Sequence, residues 1–267
     1  MSSFTAANRG ANALEIHDLS GPLRYPSIFN VSLAAKRASK CVVLGPIHAG
    51  KTMLLRHLVG LEQGSSGTII IEGEEFSACG ESEVVLRRMR TRLGVVFQGA
   101  ALIGRLSVLE NVELPLLEHT EATALEARQR AHELLAAAGV DMDADLSPSQ
   151  IDRAARRRVA LARALALRPP VLLLDEPTSD LDPHAAAELD HTIGSLQDQG
   201  GFTVLVFSHE VRHAFGRADT IYVMSNGTVI DSGRLEELAN SENEIVRRLI
   251  NRRGGEDNVP TTRRQPS

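Results

Sequence analysis

The sequence predicts an α/β protein built around a parallel β-sheet. Two continuous apolar runs, residues 171–174 and 202–207, are typical of strands that are covered on both faces. A shorter apolar run at 41–44 is followed by a helical pattern over 51–59. Strands that alternate with helices are usually joined by crossover connections, so this order predicts strands that run parallel to one another.

Further segments fit the same alternation. In chain order they are strand-like pieces with turns over 14–33, a strand over 68–71, a charged helix over 81–92, a strand over 94–97 and a mostly helical stretch over 108–167. Gly60 is expected to close the helix that begins at Lys51. We expect one domain over 14–250, preceded by a flexible N-terminus at 1–13. A disordered tail is predicted at 251–267, where Gly, Pro, Asn and charged residues show no periodicity.

Composition and charge restrict the class of protein. The chain has 267 residues, which is enough to bury a core. Its net charge of -5 does not favour a nucleic-acid partner, because nucleic-acid binders are normally basic. Two cysteines are too few for a disulfide framework, and Cys41 starts an apolar run, so we expect its side chain to be buried in the protein. Both observations favour a protein of the reducing cytoplasm. No apolar run reaches about 18 residues and residues 1–13 lack a signal peptide's apolar stretch, so we expect a soluble chain that reaches a membrane through a partner.

A phosphate-binding loop is the strongest motif. Eight residues fit the pattern G-x-x-x-x-G-K-[ST] between a predicted strand and a predicted helix: Gly45, Pro46, Ile47, His48, Ala49, Gly50, Lys51 and Thr52. The glycines let backbone amides turn towards phosphates, and the start of the helix adds partial positive charge. Lys51 is predicted to reach the β- and γ-phosphates, and the Thr52 hydroxyl to ligate Mg²⁺. The loop therefore predicts a P-loop NTPase with ATP and Mg²⁺ as its cofactors.

Polar residues that follow predicted strands are the candidates for hydrolysis. Asp175 and Glu176 come directly after one apolar run; Asp175 is predicted to hold Mg²⁺, and Glu176 to orient or deprotonate the attacking water. His209 comes after another buried strand, and in an NTPase this position favours a catalytic role. Gln98 ends a third strand, where it is a candidate ligand for Mg²⁺ or for the catalytic water.

Taken in order over about residues 14–250, these motifs resemble those of the ATPases of ABC transporters. The family's named motifs match here as the Walker A loop at 45–52, the Q-loop at Gln98, the Walker B pair at Asp175 and Glu176, the D-loop at 179–182 and the switch histidine at His209. The resemblance implies an ATPase coupled to transport, with a RecA-like core and an antiparallel β subdomain formed by the N-terminal strands. It also implies an α-helical subdomain at about 100–165 that faces a membrane permease, and a second cassette with which the chain forms a head-to-tail dimer.

Two short stretches are similar to the ATPases of MCE-type, or Mla-like, phospholipid transporters. They are residues 97–102 and residues 111–120, the second of which ends in Glu-His-Thr. This closer resemblance implies transport of phospholipid or another lipid across the bacterial envelope, with the chain on the cytoplasmic face of the inner membrane. A small STAS-type subunit and an MCE-type protein are the further partners that it implies.

The family's Leu-Ser-Gly-Gly-Gln signature is missing from this chain. In the family it runs directly into a stretch that corresponds here to 156–164, which places residues 151–155 in the signature register. The similar-looking stretch at 146–150 has the wrong spacing.

The replacement residues change the chemistry of that position. Asp152 is a good N-cap for the following helix, but it brings negative charge towards a phosphate. Arg153 can compensate by contacting the phosphate itself, so both residues are candidates for nucleotide binding. Residues 156–158, all arginine, are interpreted as a solvated face of the helix.

Three functions remain open. The first is an active transport ATPase, and the second is an ATP-binding regulatory or degenerate cassette with little hydrolysis of its own, acting in a heterodimer. A non-transport cassette of DNA repair or translation is the weakest, because the chain has neither a long coiled-coil insertion nor a tandem repeat. The presence of Glu176 and His209 favours an active or partly active ATPase over an inactive one. Tyr25 is the nearby candidate for stacking on adenine, although it lies a few positions later than the aromatic residue of the family.

Overall fold

The computed structural model describes residues 11–22, 27–211 and 218–251. Ten strands lie within these ranges: β1 Asn12–Ser20, β2 Val31–Lys36, β3 Lys40–Leu44, β4 Ser66–Ile71, β5 Glu74–Ser77, β6 Leu93–Val96, β7 Val171–Asp175, β8 Thr203–Ser208, β9 Thr220–Ser225 and β10 Thr228–Gly233. The helices are α1 Lys51–Leu58, α2 Glu83–Thr91, α3 Val108–His119, α4 Ala124–Ala137, α5 Arg153–Ala164, α6 Pro183–Gly200, α7 Leu235–Ala239 and α8 Glu244–Asn251. Together they form an α/β fold, as predicted.

The larger of the two sheets has six strands in the order β10-β9-β3-β8-β7-β6. The neighbouring strands β9, β3, β8, β7 and β6 all run parallel, and β10 pairs antiparallel with β9 at one edge. The predicted parallel sheet is therefore confirmed, with an antiparallel edge that the apolar runs did not indicate.

The apolar runs are covered on both faces, as their composition predicts. Along β3, Val42 and Leu44 belong to a core that includes residues of α3, α4, α5 and α6. The alternate residues Cys41 and Val43 belong to a second core formed with the smaller sheet and α1. Cys41 is 1% exposed, which confirms its predicted burial. Because both faces pack, the position of β3 is fixed from two sides, and so is the loop that follows it.

The smaller sheet is antiparallel, with the strand order β2-β1-β4-β5. This is the antiparallel β subdomain that the resemblance implies. It begins earlier than the predicted boundary at residue 14, because Asn12 pairs with Lys36 and Ala13 is buried.

The mostly helical stretch contains three separate helices and a short 3₁₀ turn at Pro148–Gln150. Thr123 and Glu126 form a capping box that starts α4, and Ser107 and Glu110 form another that starts α3. Gly139, at φ 73, lies just after the end of α4 and turns the chain away from the helix. Local capping thus divides what the composition shows as one continuous segment. Among the described residues, no helix is long and apolar enough to cross a membrane.

Candidate functional site

Three neighbouring strands end at one edge of the larger sheet, and candidate residues follow each of them. Leu44 of β3 is paired with Ser208 of β8, and Asp175 of β7 is paired with Phe207. The loop after β3 and the candidates after β7 and β8 therefore begin side by side. This edge, outside the carboxyl ends of parallel strands, is where open α/β sheets bind ligands.

The loop between β3 and α1 is held by backbone contacts at both ends. The N–H of Gly45 donates to the carbonyl oxygen of Ser208 at 3.2 Å, and the N–H of Gly227 donates to that of Ala49 at 2.9 Å. Position 45 requires glycine, because a Cβ there would lie 2.4 Å from the carbonyl oxygen of Met224. α1 begins immediately after this loop, so the positive end of the helix borders it.

His48 lies in the loop in the left-handed region of backbone conformation, with φ 67. A residue with a Cβ gives up about 1 kcal/mol in that region, although histidine enters it more often than most. The loop therefore carries strain that a glycine would remove.

Lys51 is buried at the first position of α1. Its Nζ donates to the carbonyl oxygens of Gly45 at 2.8 Å and Pro46 at 3.0 Å, and it lies 4.0 Å from Oε1 of Glu176. Burial lowers the pKa of Lys51, and the carboxylates of Glu176 and Asp175 oppose that shift. The two carbonyl groups hold the ammonium group beside the loop without neutralising it, which leaves its charge available to a phosphate.

Glu176 accepts hydrogen bonds from two residues at the end of β8. Nδ1 of His209 lies 2.7 Å from its Oε1, and Oγ of Ser208 donates to its Oε2 at 3.2 Å. The Glu176 side chain is 11% exposed, and its backbone is in the left-handed region at φ 45. Both carboxylate oxygens are thus fixed in place, as a general base requires.

These residues surround one cavity of about 300 Å³. Its lining consists of residues 47–53 of the loop and α1, together with Gln98, Glu176 and His209. The structure therefore brings together the loop, two of the predicted catalytic residues after β7 and β8, and Gln98. Asp175 is not part of this lining and lies buried at the end of β7.

The sequence predicts that Gln98 ends a strand, and this prediction is wrong. β6 stops at Val96, so Gln98 lies two residues further, in an exposed turn. The strand ends early because its last ladder pair joins Val96 with Leu174. Ala100 and Ala101, at φ 61 and φ 49, then bend the chain away from the sheet.

The Asp175 carboxyl group is poorly solvated. Burial raises the pKa of Asp175 from 3.8 to about 6, and the negative charge of Glu176 adds to this shift. The positive charges of Lys51 and Arg157 oppose it. Among the described residues there is no cluster of three or more His, Cys, Asp and Glu side chains that could hold a metal alone. A cation at this site needs other oxygen donors beside Asp175.

Replacing Asp175 with asparagine is expected to stabilise the Mg²⁺-free protein at pH 8 by about 2 to 3 kcal/mol. Between pH 4 and 6, roughly, the folded protein keeps a proton that the unfolded chain has released, so wild-type stability falls as pH rises through this window. The advantage of the Asp175→Asn variant should therefore shrink towards zero below about pH 4. Urea unfolding in EDTA at both pH values measures it, with the exposed Asp145→Asn as control. An advantage of equal size at both pH values would contradict the assignment.

Asp152 and Arg153 lie at the start of α5, outside the cavity that the loop lines. Asp152 caps the helix, as predicted, with its Oδ1 accepting from the N–H of Ala155 at 2.7 Å. Arg153 is exposed and borders a second cavity of about 200 Å³, which also includes Gln98 and Asp180. Within one chain, no hydrogen bond or ion pair joins either residue to the phosphate-binding loop, and neither lines its cavity.

The interpretation of residues 156–158 as a solvated face is wrong for Arg157 and Arg158. Arg157 is 6% exposed and donates to the carbonyl oxygen of Phe97 at 2.8 Å. Arg158 donates to the carbonyl oxygen of Ala138 and pairs with Glu188 at 3.0 Å. Charge alone suggested solvent exposure, but α5 is covered by its neighbours and these guanidinium groups find partners inside the fold.

Three predictions fall outside the described residues. Tyr25, the candidate for stacking on adenine, is one of them. The others concern residues 1–10 of the N-terminus and residues 252–267 of the tail.

Comparison with known proteins places these features in a family. The family model described as ABC transporter matches residues 28–179. The methionine import ATP-binding protein MetN of Rhizobium etli is 36% identical over 226 residues, 84% of this chain and 62% of that protein. The probable ribonucleotide transport ATP-binding protein mkl of Mycobacterium bovis is 35% identical over 224 residues, 84% of this chain and 62% of that protein. The chain thus spans less than two thirds of the length of these curated relatives.

Solved structures show the same fold. The dimeric post-hydrolysis state of the ATP-binding cassette MJ0796 bound to ADP and Pi has a TM-score of 0.74 and 29% identity, covering 83% of this chain and 98% of that one. The structure of cbiO1 from Clostridium perfringens, part of the complex cbiONQ, has a TM-score of 0.74 and 26% identity, covering 84% of this chain and 89% of that one. With a matching family model, relatives above 30% identity and cassette structures of the same fold, the chain belongs to the ABC transporter family as one of its ATP-binding cassettes.

Proposed function

We propose that the chain binds Mg-ATP and hydrolyses it as the ATP-binding subunit of a transporter. The observation that carries this proposal is the line of contacts from Lys51 to Glu176, at 4.0 Å, and from Glu176 to His209, at 2.7 Å, beside the phosphate-binding loop. A cation for phosphate, a fixed carboxylate and a histidine that orients it are the groups that phosphoryl transfer to water requires.

The residues take distinct roles. The loop amides and Lys51 hold the β- and γ-phosphates, Glu176 accepts a proton from the attacking water, and His209 keeps the carboxylate oriented. Asp175, Thr52 and Gln98 supply hard oxygen donors that fit Mg²⁺, and Asp175 is largely ionised above about pH 6. The ion supplies positive charge against the phosphate oxygens when it is bound.

A second cassette completes the site in this proposal. The MJ0796 cassette is dimeric with ADP and Pi bound. In the head-to-tail dimer that the family resemblance implies, the start of α5 of each chain would lie towards the nucleotide of the other. The carboxylate of Asp152 already accepts the capping hydrogen bond from the N–H of Ala155, so its negative charge faces the start of the helix. Arg153 is exposed and free of any capping role, and it takes the place of the missing signature contacts.

The test is steady-state ATP hydrolysis by the wild type, Arg153→Ala and Asp152→Ser. Loss of a hydrogen bond to a charged group should lower kcat/KM of Arg153→Ala by about 10-fold to 100-fold. Asp152→Ser keeps a capping oxygen and should retain activity. Arg128→Ala, on the exposed surface of α4, serves as a control for lost positive charge.

Other outcomes decide between the alternatives. An inactive wild type that gains turnover on Asp152→Ser would favour the regulatory cassette that acts in a heterodimer. An Arg153→Ala variant with normal kcat/KM would remove Arg153 from the site while leaving the ATPase in place.

The membrane partner is a permease at the cytoplasmic face of the inner membrane, contacted through the helical region. A groove of about 410 Å³ lies there, lined by Arg87 and Arg90 of α2 and by Leu114 and Pro115 of α3. Glu83 and Glu118 also line it, so the groove combines apolar side chains with side chains of both charges, which suits an inserted segment of another protein. A STAS-type subunit and an MCE-type protein complete the proposed assembly.

Phospholipid, or another lipid, is the proposed cargo. The support is the resemblance of residues 97–102 and 111–120 to MCE-type ATPases. The residue that directly follows the first stretch, Ile103, contacts Asn111 of the second. Asn111 is fully buried, and its side chain accepts from the N–H of Ile103 at 2.8 Å and donates to its carbonyl oxygen at 3.1 Å.

The curated relatives suggest other cargoes, since they are named for methionine import and ribonucleotide transport. Transfer of a fluorescent phospholipid between vesicles containing the assembled transporter tests the proposal. ATP-dependent transfer supports it, and methionine or ribonucleotide uptake without lipid transfer contradicts it.

A further inference from the structure

Two turns carry the groups that surround the catalytic water in the proposed function. The Gln98 turn, residues 97–101, follows β6, and the Glu176 turn, residues 176–180, follows β7. Their strands are ladder neighbours, with Val96 opposite Leu174, but the ladder ends before either turn begins. The separation between the two turns must therefore be set by other contacts.

Arg157 of α5 makes contacts with both turns. Its Nη1 donates to the carbonyl oxygen of Phe97 at 2.8 Å, and its Nη2 lies 3.5 Å from Oγ of Ser179. The residue is 6% exposed, so these contacts are screened from water. One rigid guanidinium plane thus spans the gap between the residue before Gln98 and the middle of the Glu176 turn.

The contact with Ser179 continues to the proposed base. Oγ of Ser179 donates to the carbonyl oxygen of Glu176 at 2.8 Å. The path from Arg157 therefore reaches the backbone of Glu176 itself, whose φ of 45 is held against its steric preference. Burial lowers the pKa of Arg157, while the charges of Asp180, in this turn, and Asp175, at the end of β7, oppose that shift.

A second arginine of α5, Arg163, contacts the Gln98 turn but not the Glu176 turn. Arg163 donates to the carbonyl oxygens of Ala101 at 2.9 Å and Ala100 at 3.0 Å. Arg158, the neighbour of Arg157 in sequence, contacts Ala138, Thr192 and Glu188 and neither turn. Arg158 is therefore a matched control for Arg157, because it lies on the same helix but contacts neither turn.

We infer that Arg157 is a positioning residue that sets the separation of Gln98 and Glu176 across the catalytic cavity. It touches neither nucleotide nor water in this inference and acts through the two turns. A change in α5 is transmitted through Arg157 to both sides of the cavity at once. The inference rests on the proposed function for its effect on turnover, but the contacts it describes exist in the protein without nucleotide.

The test compares Arg157→Met and Arg157→Lys with Arg158→Met and Arg158→Lys. Arg157→Met is expected to lower kcat by about 10-fold to 100-fold, because misplacement of a catalytic group by about 1 Å has effects of this size, and to leave the Kd of ATP within about threefold. Arg157→Lys, which keeps the charge and one donor, should recover part of the loss. The Arg158 variants should lose thermal stability but keep kcat within about twofold of the wild type.

Amide hydrogen exchange without nucleotide supplies the second readout. Removal of Arg157 should speed exchange at residues 97–101 and 176–180 together, whereas removal of Arg158 should leave both segments unchanged. Unchanged exchange in both turns, or an equal fall of kcat in the Arg157 and Arg158 variants, overturns the inference. If Arg157→Met fails to fold, the two lysine variants decide by the same criteria. An inactive wild type would contradict the proposed ATPase, while the exchange result would still decide the role of Arg157.

Discussion

Replacing Glu176 with glutamine is expected to lower kcat for ATP hydrolysis by about 1000-fold and to leave ATP binding almost unchanged. Glutamine keeps the shape of the side chain but cannot accept the proton of the attacking water. Glu176 has the position for this role because its Oε1 lies 2.7 Å from Nδ1 of His209 and 4.0 Å from Nζ of Lys51. Phosphate release at saturating ATP gives kcat, and equilibrium binding of labelled ATP gives the Kd.

The control for this substitution is Glu188→Gln. Glu188 is exposed on α6 and pairs with Arg158, so it loses the same charge far from the cavity. Its kcat should stay within about twofold of the wild type. A Glu176→Gln variant that retains a tenth of the wild-type kcat would show that another group accepts the proton.

Replacing Lys51 with methionine is expected to weaken ATP binding by about 100-fold, which corresponds to about 3 kcal/mol. The methionine fills similar space but removes the buried ammonium group that the carbonyl oxygens of Gly45 and Pro46 hold beside the loop. Glu176 also loses a cation at 4.0 Å. Isothermal titration with Mg-ATP measures the affinity, and residual hydrolysis should fall with it.

Lys36→Met is the matched control, because Lys36 is an exposed lysine at the end of β2, away from the phosphate-binding loop. It should bind ATP as the wild type does. Equal loss of affinity in the two variants would mean that overall positive charge, and not a specific contact, holds the nucleotide.

Sequence patterns predicted the parts of the fold that rest on local chemistry. The buried strands were visible as apolar runs, and the loop after β3 was visible because residues 45–52 satisfy a strict spacing between strand and helix. The hairpin of β9 and β10 was missed, although Asn226-Gly227 between them is a recognisable turn signal. β5 was missed because it is short and begins with two charged residues, Glu74 and Glu75, so that Phe76 is its one buried side chain.

The parts of the site that depend on distant contacts could not be predicted in this way. Glu176 and His209 were each identified by their place after a strand, but the bond between them follows from the pairing of β7 with β8. Arg157 was misjudged for the same reason. Its partner Phe97 lies 60 positions away in the sequence, and no periodicity of α5 reveals that contact.

The left-handed residues of the phosphate-binding loop and of the Gln98 and Glu176 turns have an evolutionary consequence. His48, Ala100, Ala101, Glu176 and Asp180 all have positive φ without being glycine, and each such residue gives up about 1 kcal/mol of stability. Selection for stability alone would replace them with glycine, which fits the same conformations with less strain. A lineage of this chain that is released from its function but still selected for stability should therefore change first at these turns and become more stable as it does so. Retention of non-glycine side chains there in living populations would mark a cassette that still works.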